Sequence, residues 1–139
     1  MPTAESVGYE GRSIEEFIAD LRGRKIDVLV DLRLNAVSRR PGFSKSALGR
    51  ALDGAGIEYL HLRALGNPKE NRPAFAGENV DRGRARYRNL LSEPGPAKAL
   101  EQLRDLATCK HVALMCFERD EQRCHRLVVV DELTRVRPD

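Results

Sequence analysis

Short apolar segments alternate with amphipathic segments along this sequence, and this alternation constrains the fold more than any other feature. Four stretches have the apolar character of buried strands: residues 4–9, 26–32, 57–62 and 111–117. Strands that are separated by helices in this order form a mainly parallel sheet with right-handed crossovers. The sequence therefore predicts an α/β fold in a single domain over residues 1–139, a three-layer sandwich with a central sheet of four or five strands.

The helices are predicted from capping residues and apolar periodicity. Ser13 and Glu16 form a capping box ahead of an apolar stripe, which predicts the start of the first helix. Amphipathic spacing predicts another helix around residues 99–107, and a last helix from residue 122 to about residue 136. Residues 66–80 match no regular pattern, so we expect a long and irregular loop there.

The composition is typical of a soluble globular protein with a high charge content. Hydrophobic residues make up 41% of the chain, charged residues make up 32%, and the net charge is +3. No apolar run approaches the roughly 20 residues that cross a membrane. Residues 1–10 lack the basic and apolar regions of a signal peptide. We therefore expect a cytoplasmic protein without a membrane partner.

Polar side chains follow each of the four predicted strands. Ligands of open parallel sheets bind beyond the carboxyl ends of the strands, where such side chains meet. The sequence therefore predicts one site built from residues that are far apart in the chain, among them Arg12, Arg33, His61 and Cys116.

Arginines near the predicted strand ends indicate that this site binds an anion. Guanidinium groups bind phosphate or carboxylate with two parallel hydrogen bonds, and the capped start of the first helix offers free N–H groups. The predicted substrate-binding residues are Tyr9, Arg12, Arg33, Ser38, Arg39, His125 and Arg126. In the structural alternative, Arg33 and Arg39 pair with nearby carboxylates. The chain has no Walker A loop or dinucleotide fingerprint, so no specific nucleotide cofactor is indicated, and the cofactor, if any, stays unknown.

Cys116, Glu118 and His61 are the residues predicted to perform any catalysis. A thiolate at a strand end is a nucleophile when arginines lower its pKa. Histidine and glutamate side chains serve as general acids and bases. The structural alternatives are that Cys116 packs in the core and that His61 is held by hydrogen bonds.

The cysteines also suggest a metal-binding alternative. Three cysteines are too few for a disulfide scaffold, and in a reducing compartment they are expected as thiols. Cys116, Cys124 and His61 are weak candidate ligands, because their spacing does not match the C-x₂₋₄-C pairs of structural zinc sites. Cys124 and His125 would lie about 100° apart on a helix and would hardly share one ion. No metal site is therefore assigned.

An arginine-rich segment supports a nucleic-acid-binding alternative. Arg82 and Arg86, like Arg84 and Arg88, are spaced to share a helix face and could bind a phosphate backbone, with Tyr87 stacking on a base. A solvated helix is the structural alternative, and aromatic residues make up only 5% of the chain.

Four strings carry a resemblance to a known family: VGYEGRS, DLRLNAVSRRPGFSK, IEYLHLRALGNP and LMCFERDEQRCHR. In this order, from Gly8 to Arg126, they resemble the bacterial and archaeal family catalogued as domain of unknown function 488. The matching positions are Gly8, Tyr9, Gly11, Arg12, Asp31, Arg33, Ser38, Arg39, Pro41, Phe43, Tyr59, His61, Leu65, Gly66, Asn67, Cys116, Glu118, Cys124, His125 and Arg126. The resemblance identifies family positions and implies no particular activity.

The leading functional prediction is a ligand-binding or catalytic domain that acts on a small anionic substrate, phosphate-bearing ones included, at the carboxyl ends of the strands. A nucleic-acid-binding module is the first alternative, and a metal-binding protein is the second. The patterns do not distinguish an enzyme from a binding domain, and they indicate no oligomeric state.

Overall fold

A computed structural model describes residues 4–77, 79–118 and 124–134. Within these residues, four strands alternate with helices. The strands are β1 (Ala4–Gly8), β2 (Val28–Asp31), β3 (Glu58–His61) and β4 (Val112–Cys116). The helices are α1 (Ile14–Gly23), α2 (Lys45–Gly54), α3 (Arg72–Ala76), α4 (Val80–Leu91), α5 (Pro94–Cys109) and α6 (Arg126–Thr134). The predicted α/β fold is confirmed.

The four strands form one parallel sheet in the order β1-β4-β2-β3. β4 therefore lies between β1 and β2, with Cys116 opposite Gly8 and Met115 opposite Asp31. β3 pairs with the other side of β2, where His61 lies opposite Asp31. Because all strands run the same way, their carboxyl ends meet at one edge of the sheet, where ligands of such sheets bind.

Helices cover both faces of the sheet, and each face has its own apolar cluster. One cluster joins α1 and α2 to the sheet and includes Phe17, Leu21, Leu48 and Leu52. The other joins α4, α5 and α6 to the opposite face and includes Tyr87, Leu103, Val129 and Leu133. Along β2, Leu29 belongs to the first cluster while Val28 and Val30 belong to the second, because successive strand side chains point to opposite faces. The predicted three-layer arrangement is confirmed.

The predicted capping box sets the start of α1. The Glu16 N–H donates to Ser13 Oγ at 3.1 Å, and the Ser13 N–H donates to Glu16 Oε1 at 2.9 Å. The bond from the Ser13 backbone lowers the pKa of Glu16, because it favours the carboxylate. The last helix is confirmed from residue 126 to residue 134. Cys124 and His125, which the prediction placed in this helix, precede it, and residues 122–123 and 135–136 lie outside the described residues.

The segment 66–80 is more regular than its sequence indicates. It contains a 3₁₀ turn, Lys69–Asn71, that leads into α3. Asn71 is buried, and its Nδ2 donates to Asn67 Oδ1 at 3.0 Å and to the Gly83 carbonyl at 2.9 Å. These short elements are held by side-chain hydrogen bonds, so apolar periodicity does not reveal them. No helix among the described residues is long and apolar enough to span a membrane.

Gly66 provides a test of how the segment after β3 packs against the segment after β2. A Cβ atom at Gly66 would lie 2.5 Å from the Leu34 Cα and 2.7 Å from the Leu34 nitrogen, both backbone atoms. Because a backbone cannot move aside as a side chain does, we expect Gly66→Ala to lower the free energy of unfolding by about 1–3 kcal/mol in urea denaturation.

Gly54→Ala is the matched control. Gly54 is the last residue of α2, and a Cβ there meets no atom within 4 Å. Alanine favours the helix, so this variant should be unchanged or up to about 1 kcal/mol more stable. Equal stabilities of the two variants would contradict the close approach of Gly66 to Leu34.

Candidate functional site

A cleft of about 580 Å³ opens at the carboxyl edge of the sheet. Its walls come from the segments that follow β1, β2 and β4, from α3 and from the residues before α6. The lining residues are Tyr9, Glu10, Arg33, Leu34, Asn35, Val37, Ser38, Arg39, Asn67, Arg72, Phe75, Cys116, Phe117, Glu118, Cys124 and His125. Small-molecule sites usually have volumes between about 300 and 1,000 Å³, so the cleft is large enough for one.

A buried ion pair supports the cleft from beneath. Asp31 is fully buried, and Arg33 donates to its carboxylate from Nε at 2.9 Å and from Nη2 at 2.7 Å. Arg33 Nη1 donates to the Tyr9 hydroxyl at 3.2 Å and to the Phe43 carbonyl at 2.7 Å. The Tyr59 hydroxyl also donates to Asp31, at 2.6 Å. These contacts connect β1, β2, β3 and the segment before α2.

This network uses Arg33 as a structural residue. Burial by itself disfavours the guanidinium charge, but the hydrogen bonds and charge of Asp31 more than offset it and raise the pKa of Arg33. Burial and the bond to Asp31 raise the pKa of Tyr59, which keeps its hydroxyl protonated as a donor. Arg33 and Tyr9, both predicted substrate-binding residues, therefore line the cleft with most of their polar atoms already bonded.

Arg39 and Arg72 present exposed guanidinium groups to the cleft. The structural alternative was that Arg39 pairs with a nearby carboxylate. Among the residues that the structure describes, Arg39 makes no such ion pair. Arg72 reaches the cleft from α3, with its Nε 3.4 Å from the Asn67 carbonyl. Ser38 helps to hold the loop that carries Arg39, since its Oγ accepts from the Arg40 N–H at 3.1 Å. These two arginines are the groups best placed to meet an anion.

Exposed apolar side chains lie beside these arginines. Val37 is 77% exposed and Phe117 is 46% exposed, and both line the cleft together with Leu34 and Phe75. The rings of Phe117 and Tyr9 pack edge to face, with centroids 5.4 Å apart. Large apolar side chains normally avoid water, so a cluster of them in a cleft is typical of a surface that a ligand covers.

Cys116 and Cys124 form a disulfide, so the expectation that these cysteines are thiols is wrong for this pair. The bond joins the end of β4 to the residues before α6. Cys109, in contrast, is a free and exposed cysteine. Because a disulfide carries no thiolate, Cys116 is not a nucleophile in this form.

His125 is buried beside the disulfide. Its Nε2 donates to the Leu32 carbonyl at 3.1 Å, and its Nδ1 lies 3.6 Å from Cys124 Sγ. Burial lowers the pKa of His125 to about 4, because a buried imidazolium loses its hydration. Cys124 and His125 both precede Arg126, the first residue of α6. The expectation that helical geometry separates these two side chains is therefore wrong.

Three predicted site residues lie outside the cleft. Arg12 turns towards α1, where its Nη1 pairs with Asp20 at 2.7 Å. His61 lies at the end of the edge strand β3, and its Nε2 donates to the Arg33 carbonyl at 2.7 Å. Arg126 is fully buried and donates from Nη1 to the Val7 carbonyl at 2.6 Å.

Of the four distant residues that were expected around one hollow, the structure brings two to the cleft. Arg33 and Cys116 line the cleft, whereas Arg12 and His61 do not. The strand order explains the difference for His61, because β2 separates β3 from β4. Glu118, Ser38, Arg39 and His125 also line the cleft, as expected for parts of one site.

Sequence reasoning missed several cleft residues: Val37, Asn67, Arg72, Phe75 and Phe117. Three of them lie in the segment that was expected to be an irregular loop. The length of that segment was the available signal that it contributes to a site.

The arginine-rich helix α4 does not line the cleft. Arg84 pairs with Asp81 at 3.8 Å, and Arg88 pairs with Asp131 at 3.7 Å. Tyr87 is fully buried, and its hydroxyl donates to the Leu65 carbonyl at 2.6 Å, so the expectation that its ring stacks on a base is wrong. Burial also raises the pKa of Tyr87.

The ion pair beneath the cleft can be tested by removing one of its charges. Asp31→Asn leaves the buried Arg33 guanidinium without a counter-charge, so we expect a loss of about 3–5 kcal/mol in the free energy of unfolding. Asp20→Asn is the control, since Asp20 pairs with Arg12 and Arg24 and all three side chains reach solvent, so this variant should lose only about 1 kcal/mol. Similar losses in the two variants, measured by urea denaturation, would contradict the supporting role of the Asp31 pair.

Comparison with known proteins gives one match. The family model described as "Domain of unknown function DUF488" matches residues 13–133 of the 139-residue chain. This range includes every cleft residue except Tyr9 and Glu10. No curated protein and no solved structure matches the chain. The resemblance to this family is confirmed, and the chain belongs to the DUF488 family.

Proposed function

We propose that this protein binds a small anionic molecule with an apolar portion in the cleft at the carboxyl edge of its sheet. One observation carries the proposal: two exposed guanidinium groups, of Arg39 and Arg72, share the cleft with the exposed apolar side chains of Val37 and Phe117. Guanidinium groups bind phosphate, sulfonate or carboxylate, and the apolar side chains favour a ligand that removes them from water.

The carboxylates of the cleft narrow the class of ligand further. Glu10 and Glu118 line the same cleft, so its charges are mixed. Asp31 neutralises Arg33, which leaves Arg39 and Arg72 to face the anionic group. An ionised carboxylate only accepts hydrogen bonds, so Glu118 favours a ligand that also carries hydroxyl or amino donors.

Binding, with no assigned reaction, is the function that the described residues support best. Of the three predicted catalytic residues, His61 does not line the cleft and Cys116 is bonded to Cys124. Glu118 lines the cleft and has the chemistry of a general acid or base. Any proton transfer in this form of the protein is therefore proposed for Glu118.

We prefer this proposal to nucleic-acid binding because the aromatic ring and the arginines that would bind a nucleic acid do not form one surface. The stacking ring expected for that alternative, Tyr87, is in the core, and Arg84 and Arg88 pair with carboxylates. Arg82 and Arg86 are exposed on α4, away from the cleft, and make a natural control pair.

A titration with two probes tests the proposal. We expect phenyl phosphate and inorganic phosphate to shift the amide NMR signals of residues 37–39 and 117–118 and to leave those of α4 unchanged. Phenyl phosphate should bind more tightly, because its ring covers Val37 and Phe117. Arg39→Ala and Arg72→Ala should each weaken binding about tenfold, the effect of losing one charge-assisted hydrogen bond.

Arg82→Ala and Arg86→Ala are the matched controls and should bind both probes as the unaltered protein does. Equal weakening by all four substitutions would show a non-specific charge effect and would contradict the cleft proposal. An oligonucleotide that binds in a strongly salt-dependent manner through Arg82 and Arg86, with flat phosphate titrations, would favour the nucleic-acid alternative instead.

A further inference from the structure

We propose that reduction of the Cys116–Cys124 disulfide creates a site for a thiophilic divalent metal ion, with the two thiolates and the imidazole of His125 as ligands. The proposal does not depend on anion binding by the cleft. It rests on where the three ligand atoms lie and on how the imidazole is oriented.

The three ligand atoms are already close together. The two sulfur atoms and the nearer imidazole nitrogen all lie within 4.8 Å of one another. Zinc binds thiolate sulfur at about 2.3 Å and imidazole nitrogen at about 2.0–2.1 Å, so two ligands of one tetrahedral ion lie roughly 3.5–3.8 Å apart. Small side-chain rotations after reduction would therefore place all three around an ion.

The backbone spacing of the cysteines also suits an ion between them. Their Cα atoms lie 7.6 Å apart. Cysteines that share a disulfide usually have Cα separations of about 4.4–6.8 Å. The end of β4 and the residues before α6 thus hold the two side chains at a distance that leaves room for a bridging atom.

His125 is oriented as a metal ligand is. Its Nε2 donates to the Leu32 carbonyl, which leaves the lone pair on Nδ1, and Nδ1 is the atom that lies 3.6 Å from Cys124 Sγ. Histidines that bind metals nearly always donate their other ring N–H to such an acceptor, which sets the tautomer and the ring orientation. The Tyr87 ring packs against the imidazole, with centroids 5.0 Å apart, and restricts its rotation.

The ligand set leaves one position of a tetrahedral ion open. All three residues line the cleft, so water or a ligand anion could take that position from the cleft. Three protein ligands and one open position are typical of catalytic zinc, whereas structural zinc has four protein ligands. Two thiolates and one imidazole favour zinc over magnesium or calcium, which prefer oxygen ligands.

A dithiol can reduce the bond by thiol–disulfide exchange. One thiolate of the dithiol attacks a sulfur of the Cys116–Cys124 bond, which breaks as a mixed disulfide forms. The second thiol of the reductant then releases the protein, so the dithiol is oxidised to a disulfide and both cysteines gain thiols. These thiols lose their protons when the metal binds.

Cobalt titration of the purified chain tests the proposal. One sample is kept oxidised, and the other is reduced without oxygen by a phosphine that is then removed. We expect the reduced chain to bind one Co²⁺ with thiolate-to-cobalt charge-transfer absorption that Zn²⁺ abolishes, and the oxidised chain to bind none. Cys116→Ser and Cys124→Ser should lose the absorption, and His125→Ala should weaken binding by at least about tenfold.

Cys109→Ser is the matched control, because Cys109 is exposed and lies at the opposite end of β4; it should bind cobalt as the unaltered chain does. Absence of the absorption in the reduced chain, or its persistence in Cys116→Ser, would overturn the proposal. The oxidised and reduced samples share one sequence, so misfolding of a variant cannot explain their difference. Phosphate titrations use the oxidised, metal-free chain, so the cleft proposal can fail independently.

Discussion

The ion pair between Asp31 and Arg33 is the interaction on which the arrangement of the strand ends depends. Taking two charges out of water costs several kcal/mol per ion, and such a pair persists only when further hydrogen bonds satisfy it. Here Tyr9, Tyr59 and the Phe43 carbonyl supply those bonds, so two strands and one loop are tied to the end of β2. The floor of the cleft is therefore a network of polar groups, and apolar side chains do not fill the space above it.

Much of the fold was predictable because it depends on local patterns. The capping box of Ser13 and Glu16, the apolar strands and the helical stripes each occupy a short window of sequence, and each was confirmed. The segment 66–80 was not predictable in this way, because Asn71 organises it through bonds to Asn67 and to the distant Gly83 carbonyl. Polar contacts between separate segments leave no periodic signal.

The candidate site was predictable only in part, because it depends on strand order and on individual partners. The polar residues after each strand indicated the carboxyl edge of the sheet as the place for a site, but the position of β4 between β1 and β2 cannot be read from local patterns. Arg12 was expected at the site, but its guanidinium group instead pairs with Asp20 in the second turn of α1. The bond between Cys116 and Cys124 likewise joins two segments that no periodic pattern relates.

The central position of β4 also has a consequence for how the chain folds. Among the described residues β1 pairs only with β4, and Ala4 lies opposite Val112. These two segments are about a hundred residues apart, so their pairing closes a large loop. The loss of chain entropy precedes the favourable free energy of the strand contacts. β2 and β3 are close together in the chain and can pair around α2. β1 can pair only after β4 has been synthesised, which happens much later. We therefore expect the hollow at the strand ends to be completed late in folding.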